Sequence, residues 1–212
     1  MRQKKAVIFD LDGTLVDAYP AIIKSHNYVL HKLGYPAADS PTIRRAVGWG
    51  DENLLRPFVG KNDLKRALLI YRRHHRIALT RYTRLFPGVK RLLSCLRSKG
   101  YKIAVASNRP TEFSWIIIRR LGLKKYFNYV LCADKLKHGK PHPDILFKII
   151  KRLGVLSSRA VYVGDMTVDA EAGRRAGVKT IIVTTGSSSK AEIKKEKPYK
   201  IIRKITELFD IL

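Results

Sequence analysis

Two aspartates, Asp10 and Asp12, stand two residues apart directly after a short apolar run at residues 6–9. Side chains at positions i and i+2 of an extended chain project to the same side, so both carboxylates can face one point beyond the end of a strand. Gly13 follows at once and lets the backbone approach an anion closely, because it has no Cβ and nearby N–H groups can form an anion nest. The segment predicts two convergent carboxylates beside a place where phosphate can bind.

A second acidic pair, Asp165 and Asp169, follows another apolar run at residues 161–163. Any single aspartate here could be a turn or helix-capping residue. Four acids at one edge of a sheet, however, would repel one another and raise one another's pKa unless a cation lay between them. The set therefore predicts a site for a hard, oxygen-seeking cation such as Mg²⁺.

The elements that position these acids are indicated by short apolar runs without alternation, which are typical of parallel strands covered by helices on both faces. Helical stretches with proline near the start and glycine beyond the end separate the later runs. We expect a doubly wound, Rossmann-like α/β sheet, since strands alternate with helices. The runs lie at residues 6–9, 103–106, 129–132, 161–163 and 180–183, and the helices at residues 89–99, 143–153 and 169–176.

More than ninety residues separate the first two runs, far more than one crossover helix needs. Residues 17–84 have a helical pattern throughout, which predicts a small helical cap domain inserted into a core of residues 1–16 and 85–212. Packing of these helices on the sheet as part of one domain is the alternative. Residues 186–189 and the lysine-rich segment after them are expected to form an exposed loop.

Four ordered motifs make the chain resemble the haloacid dehalogenase superfamily, in the branch of small phosphatases similar to phosphoglycolate phosphatase. The resemblance spans about residues 6–177, with the helical insertion where that family carries a cap. The motifs are Asp-Leu-Asp-Gly-Thr at residues 10–14, Ser-Asn-Arg-Pro at 107–110, Lys-Pro-His-Pro at 140–143, and Gly-Asp at 164–165 with Asp169.

The resemblance implies a two-step transfer through an aspartyl phosphate. Asp10 would attack phosphorus, and Asp12 would protonate the leaving alcohol and then activate water. Mg²⁺ would be held by Asp10, the backbone carbonyl of Asp12, and Asp165, with Asp169 supporting the metal site. Lys140 would neutralise the nucleophile and the transferring group.

The resemblance also implies the residues that bind the phosphoryl oxygens. These would be Ser107, Asn108 and the backbone around Gly13 and Thr14, with Arg109 as a second anion contact. His142 is expected to be an exposed loop residue.

Selectivity for the leaving group would reside in the cap, where Arg44, Arg45 and Trp49 are candidates to face the substrate. Packing of the tryptophan within the cap and a solvated face for the arginines remain the alternative.

Charge is the unusual feature of the composition, with 43 Lys+Arg against 17 Asp+Glu and a formal net charge of +26. Such a surface attracts anions, whether nucleic acid, anionic membrane or phosphorylated metabolites. A basic nucleic-acid-binding protein on the same fold is thus an alternative from a different functional class, although no recognition-helix motif or interleaved aromatic pattern supports it. A phosphomutase of the β-phosphoglucomutase type is the closer alternative, and Asp12 argues against a dehalogenase.

Length and composition limit the remaining possibilities. A chain of 212 residues with 45% hydrophobic residues fits one or two globular domains and excludes collagen-like, disordered and disulfide-scaffold proteins. The basic segment at residues 1–5 precedes an apolar run too short for a signal peptide, and no window suits a membrane span. With two unpatterned cysteines, we expect a cytoplasmic monomer or homodimer acting on a small phosphorylated metabolite, with no membrane partner.

Overall fold

The computed structural model describes residues 5–212; residues 1–4, which belong to the predicted core and to the predicted basic segment, lie outside the described residues. Six strands form one parallel sheet in the order β5-β4-β1-β6-β7-β8, and β2 pairs with β3 in a separate antiparallel ribbon. The predicted α/β fold is confirmed, and five strands coincide with the predicted runs, whereas β8 was not predicted. The strands are β1 (Ala6–Phe9), β2 (Val16–Asp17), β3 (Arg84–Leu85), β4 (Lys102–Ser107), β5 (Tyr129–Cys132), β6 (Ala160–Gly164), β7 (Lys179–Val183) and β8 (Lys200–Ile202).

Helices cover both faces of the sheet and fill the segment between β2 and β3. The predicted helices correspond to α5, α7 and α8, and α8 begins two residues before its predicted start. Gly154 ends α7 in the left-handed conformation, at φ 62°, as expected of a glycine beyond a helix end. The helices are α1 (Tyr19–Leu33), α2 (Ser40–Ala46), α3 (Asp51–Leu55), α4 (Leu64–Tyr82), α5 (Val89–Ser98), α6 (Thr111–Arg120), α7 (Asp144–Leu153), α8 (Thr167–Arg175) and α9 (Lys190–Lys195).

The central strand β1 shows why the strand sequences are uniformly apolar. Val7 and Phe9 point into the apolar cluster on one face of the sheet, and Ala6 and Ile8 into the cluster on the other. All four side chains are fully buried. A strand with helices on both of its faces has no solvent side, so alternation of polar and apolar residues is lost.

The polypeptide leaves the core for the helical insertion, residues 18–83, and returns to it at one place. This follows because β2 and β3 pair with each other and Val16 lies opposite Leu85. Within the insertion α1 packs along α4. The sequence periodicity predicts one face of α1 with Ile22, Ile23, His26 and Leu30; Ile22, His26 and Leu30 are buried, and Ile23 is half-buried. The insertion has the helical content expected of a cap, and its division from the core as a separate domain stays a prediction.

The segment after β7 differs from the exposed loop expected there. Residues 186–188 are half-buried, Ser189 is exposed, and the lysine-rich residues that follow form α9. Ser189 caps this helix by accepting a 3.2 Å hydrogen bond from the backbone N–H of Glu192. Gly186 lies against the side chain of Asp165, so the segment approaches the predicted site. None of the helices in residues 5–212 combines the length and the apolar character needed to cross a bilayer.

Candidate active site

Three of the predicted acids meet at the carboxyl edge of the sheet. Asp10 directly follows β1, Asp165 directly follows the neighbouring strand β6, and Asp169 lies in the first turn of α8. One carboxylate oxygen from each lies within 4.8 Å of the other two, and all three residues are buried. We call Asp10, Asp165 and Asp169 the acidic cluster; it forms because parallel neighbours in a sheet end at the same edge.

Lys140 provides a cation beside this cluster. It lies in the loop between β5 and α7. Its Nζ lies 2.8 Å from Oδ1 of Asp10 and 2.7 Å from Oδ1 of Asp169. Nζ also donates to the backbone carbonyl of Ala106 at 3.1 Å. Burial alone would lower the pKa of Lys140, but the negative charges of Asp10 and Asp169 outweigh burial and raise it above its ordinary value. The ammonium therefore stays charged next to the predicted nucleophile.

Asp169 has both carboxylate oxygens engaged by protein donors. Oδ1 accepts hydrogen bonds from Lys140 at 2.7 Å and from the hydroxyl of Tyr162 at 2.6 Å. Oδ2 accepts from the backbone N–H groups of Asp165 and Met166 at 3.1 and 3.0 Å. Its visible contribution is to hold Lys140 and the turn after β6 in place.

Asp165 differs from Asp169, because only one of its two carboxylate oxygens accepts a hydrogen bond within residues 5–212. Oδ1 accepts a 2.8 Å hydrogen bond from the hydroxyl of Thr14, so this side chain is committed to Asp165 rather than free for substrate. Oδ2 is buried and has no hydrogen-bond partner within residues 5–212. Gly13 and Gly186 both back onto it, and a Cβ on either would lie 2.2 or 2.1 Å from this oxygen.

This donor set fits Mg²⁺. A buried carboxylate oxygen without a partner is costly unless a cation or a proton binds it. Burial, followed by the charges of Asp169 and Asp10, raises the pKa of Asp165 well above its usual value. Burial also raises the pKa of Asp10 to about 7, against the opposing effect of Lys140. A hard divalent cation with oxygen ligands would stabilise both ionised carboxylates.

Asp12 lies beside the cluster but pairs with a different cation. Its Oδ2 accepts a 2.6 Å hydrogen bond from Nε of Arg109, whose side chain is only 6% exposed. A second guanidinium nitrogen of Arg109, Nη1, lies 2.6 Å from Nε2 of His75 in α4. Arg109 therefore differs from the free anion contact expected of it, since two of its nitrogens already have partners.

The two other predicted phosphate-binding residues lie at the end of β4 and differ in whether their side chains still have a free hydrogen-bond donor. Within residues 5–212 the Ser107 hydroxyl accepts a 3.2 Å hydrogen bond from the backbone N–H of Arg109 and donates none, which leaves its proton available. The Asn108 amide donates to the carbonyls of Gly48 and Lys140 at 2.8 and 2.9 Å and accepts from the Lys140 backbone at 2.8 Å. It thus ties the Lys140 loop to the helical insertion.

A pocket lies between the carboxyl edge of the sheet and the helical insertion, and Asp51 and Tyr71 stand among its walls. Neither residue was predicted from the sequence to line the site. The sequence showed only a polar residue and an aromatic residue in segments with a helical pattern. Burial raises the pKa of Asp51, with Arg109 and Arg72 opposing the effect. The lining residues are Asp10, Asp12, Ile22, Val47, Gly48, Gly50, Asp51, Leu54, Tyr71, Ser107, Asn108, Arg109, Lys140, Met166, Val168 and Asp169.

The three insertion residues expected at the leaving group lie elsewhere. Arg44 stacks its guanidinium over the ring of Tyr19 at 3.8 Å. Arg45 forms an exposed ion pair with Glu192 at 2.6 Å, and Trp49 is 47% exposed. His142 is partly exposed, and its Nδ1 lies 3.3 Å from Oδ1 of Asp144.

Comparison with known proteins places this geometry in a family. A profile of the family described as Haloacid dehalogenase-like hydrolase matches residues 7–183. Two similar proteins are named phosphoglycolate phosphatase. The plasmid-borne one of Cupriavidus necator is 34% identical over 187 residues, which cover 85% of this chain and 81% of that protein. That of Aquifex aeolicus is 32% identical over 182 residues, covering 86% and 85%.

Solved structures agree in fold over nearly the whole chain. A predicted phosphoglycolate phosphatase from Haemophilus somnus has a TM-score of 0.93 at 27% identity, covering 100% of this chain and 99% of its own. A Thermotoga maritima protein proposed to be a β-phosphoglucomutase has a TM-score of 0.80 at 26% identity, covering 98% and 97%. With the profile match extending from β1 to the end of β7, the chain belongs to the haloacid dehalogenase-like hydrolase family.

Proposed function

We propose that this protein is a Mg²⁺-dependent phosphatase that hydrolyses a small phosphomonoester through a phosphorylated Asp10. The observation that carries the proposal is the position of Asp10, which lines the pocket while it belongs to the acidic cluster and contacts Lys140 at 2.8 Å. A carboxylate so placed can reach a bound phosphate, and the ammonium beside it offsets the negative charge of both.

Asp10 attacks phosphorus in the first step, and the bond between phosphorus and the leaving alkoxide breaks. Asp12 gives that oxygen its proton, so the alcohol leaves neutral. Asp12 then takes a proton from water, whose oxygen attacks phosphorus and releases inorganic phosphate and the free carboxylate of Asp10. One difficult displacement is thereby divided into two easier ones, and the second returns Asp10 and Asp12 to their starting state.

Asp10, Asp165 and the backbone carbonyl of Asp12 would hold Mg²⁺, with Asp169 in support through Lys140 and the turn after β6. The ion supplies charge neutralisation for the phosphoryl oxygens. Thr14 positions Asp165 by its 2.8 Å hydrogen bond.

Several groups of this chain could bind the phosphoryl oxygens. The Ser107 hydroxyl retains its proton for this purpose. The backbone around Gly13, where φ is +76°, could present neighbouring N–H groups to a bound anion, whereas the N–H of Gly13 itself donates to the carbonyl of Val16 at 2.8 Å. Asn108 would contribute through its backbone, because its side-chain amide is already bonded on both sides.

Phosphoglycolate is the leading substrate, on the strength of the relatives from Cupriavidus necator and Aquifex aeolicus that bear this name. The helical insertion would act as a cap that closes over the substrate, since Asn108 donates to Gly48 of the insertion at 2.8 Å. The remaining walls from the insertion are small or apolar apart from Asp51 and Tyr71, which fits a small leaving group.

A phosphomutase of the β-phosphoglucomutase type is the second candidate, favoured by the likeness to the Thermotoga maritima protein. It would retain Asp10 and Asp12 but return the phosphoryl group to a sugar instead of to water. The two functions differ in product and not in the first step.

The test is phosphate release from a panel of phosphoglycolate, sugar phosphates, nucleotides and pyrophosphate, with Mg²⁺ and with a chelator. We expect Mg²⁺-dependent release from a small phosphomonoester and its loss in Asp10→Asn, with an unchanged circular dichroism spectrum. Retained turnover in Asp10→Asn would exclude the proposed nucleophile. Isomerisation of a sugar phosphate faster than its hydrolysis would favour the mutase.

A further inference from the structure

A buried series of hydrogen bonds connects Asp12 to the helical insertion through Arg109 and His75. We propose that His75 is a positioning residue for Asp12 and acts through Arg109, so that docking of the insertion aligns the acid that protonates the leaving group. The inference rests on the proposed phosphatase function.

Arg109 contacts Asp12 and His75 at the same time. Its Nε donates to Oδ2 of Asp12 at 2.6 Å, and its Nη1 lies 2.6 Å from Nε2 of His75. The guanidinium is planar and rigid, so two contacts on different nitrogens fix its plane as well as its position. Removing the contact at Nη1 would leave the group able to rotate about the bond to Asp12.

The guanidinium of Arg109 determines where the protons of this hydrogen-bond series lie. A guanidinium only donates, so Nε2 of His75 must accept and its ring proton must lie on Nδ1. Nδ1 is 3.0 Å from the Ser25 hydroxyl oxygen, which accepts that proton, and the Ser25 hydroxyl can in turn donate to Nδ1 of His74 at 3.1 Å. Burial, followed by the charge of Arg109, lowers the pKa of His75 well below its ordinary value, in agreement with a neutral ring.

Packing also fixes the His75 ring at the junction of insertion and core. The ring stacks on Tyr71 of the same helix with centroids 4.7 Å apart. The ring also makes a T-shaped contact with the ring of Phe113, in core helix α6, with centroids 5.2 Å apart. His75 is fully buried, so its Nε2 has a defined direction toward Arg109.

The consequence falls on Asp12, because Arg109 occupies only one of its oxygens. Oδ1 has no hydrogen-bond partner among the residues that the structure describes. With Oδ2 held, Oδ1 is the oxygen left to carry the proton for the leaving group. A guanidinium anchored on one side alone would hold this carboxyl less well.

The test exploits the dependence of acid catalysis on the leaving group. An aryl phosphate with a good leaving group, p-nitrophenyl phosphate, needs little help from Asp12, whereas an alkyl phosphate such as phosphoglycolate needs its proton. We expect His75→Met to lower kcat/KM for the alkyl phosphate roughly 10- to 100-fold, and that for the aryl phosphate less than about threefold, since a general acid contributes about 10²- to 10⁴-fold in all. His75→Gln, which can keep an acceptor near the Nε2 position, should restore most of the loss.

His26→Met is the matched control, because His26 is an equally buried histidine of the insertion whose ring nitrogens have no partner within residues 5–212. It should leave the ratio of the two kcat/KM values unchanged. Should His75→Met fail to fold, Ser25→Ala removes the acceptor from Nδ1 and should change the ratio in the same direction. An equal loss on both substrates, or none, in His75→Met or in that substitute would overturn the inference. If the wild type does not hydrolyse phosphoglycolate, the alkyl phosphate of the panel that it does hydrolyse takes its place. A wild-type protein that hydrolyses no phosphomonoester of the panel would instead overturn the proposed function, and this inference with it.

Discussion

The hydroxyl of Thr14 donates a 2.8 Å hydrogen bond to Oδ1 of Asp165, a residue 151 positions further along the chain. Both side chains are fully buried. The bond leaves Oδ2 as the single unpartnered oxygen of Asp165 within residues 5–212. Thr14 therefore decides which oxygen of this carboxylate is presented to a cation.

Replacing Thr14 with valine should weaken Mg²⁺ activation. Valine keeps the shape but removes the donor, so Asp165 can rotate and both oxygens lose their defined orientation. We expect the Mg²⁺ concentration for half-maximal activity to rise about 10-fold, the lower end of the effect of groups that orient metal ligands. Thr14→Ser, which restores the hydroxyl, should recover most of the affinity in the same titration. An unchanged Mg²⁺ requirement in Thr14→Val would show that this bond does not support the metal site.

Gly13 and Gly34 form a natural matched pair for testing the space around Asp165. Both have φ +76°, so alanine at either carries a similar backbone cost of about 1–2 kcal/mol. A Cβ at Gly13 would lie 2.2 Å from Oδ2 of Asp165, whereas a Cβ at Gly34 would meet nothing within 4 Å. Gly13→Ala should therefore abolish Mg²⁺-dependent activity while Gly34→Ala lowers only the free energy of unfolding. Equal activities in the two variants would mean that Asp165 can move without consequence.

Removal of the ammonium of Lys140 should cost stability as well as activity. Lys140→Met leaves the carboxylates of Asp10 and Asp169 buried without their shared cation. We expect the free energy of unfolding to fall by about 3–5 kcal/mol, the usual cost of removing one partner from a buried ion pair. Lys137→Met, at an exposed position three residues away, should change it by less than about 0.5 kcal/mol. Urea denaturation measures both, and equal effects would contradict the buried contacts.

Asp10 should make the metal-free protein less stable as the pH rises. Burial raises the pKa of Asp10 from 3.8 to about 7, so the folded state binds more protons than the unfolded state between these values. The free energy of unfolding then falls with increasing pH, by at most about 1.4 kcal/mol per pH unit for one group. The difference between wild type and Asp10→Asn, measured in chelator, should show this slope, and saturating Mg²⁺ should reduce it. Parallel stability curves would indicate that Asp10 titrates normally in the folded state.

Five of the six parallel strands of the described sheet, and the residues that follow them, could be predicted from the sequence, whereas β8 could not. Asp10 and Asp165 each follow an uninterrupted apolar run, and the carboxyl ends of neighbouring parallel strands must meet. Lys140 was placed by its motif, since the loop in which it lies has no periodicity. Local pattern thus sufficed wherever the position of a residue followed from the end of a strand.

The contribution of the helical insertion could not be predicted in the same way. His75 lies four residues after Tyr71, which indicates only that both side chains share the buried face of α4. Its contact with Arg109 depends on how the insertion lies over the sheet, and that is set by tertiary packing. Asn108 had a similar ambiguity, because an amide can bind a phosphate or, as here, the backbone of Gly48 and Lys140.

The most direct measurement is the capture of a phosphoryl group on the enzyme itself. Wild-type protein with Mg²⁺ is mixed with a radiolabelled small phosphomonoester, quenched in acid within one turnover, digested and mapped. The proposed mechanism predicts label on the peptide that contains Asp10, in an acyl phosphate that hydroxylamine removes, and no label in Asp10→Asn. Full turnover without label on this peptide, or label retained in Asp10→Asn, would contradict the account.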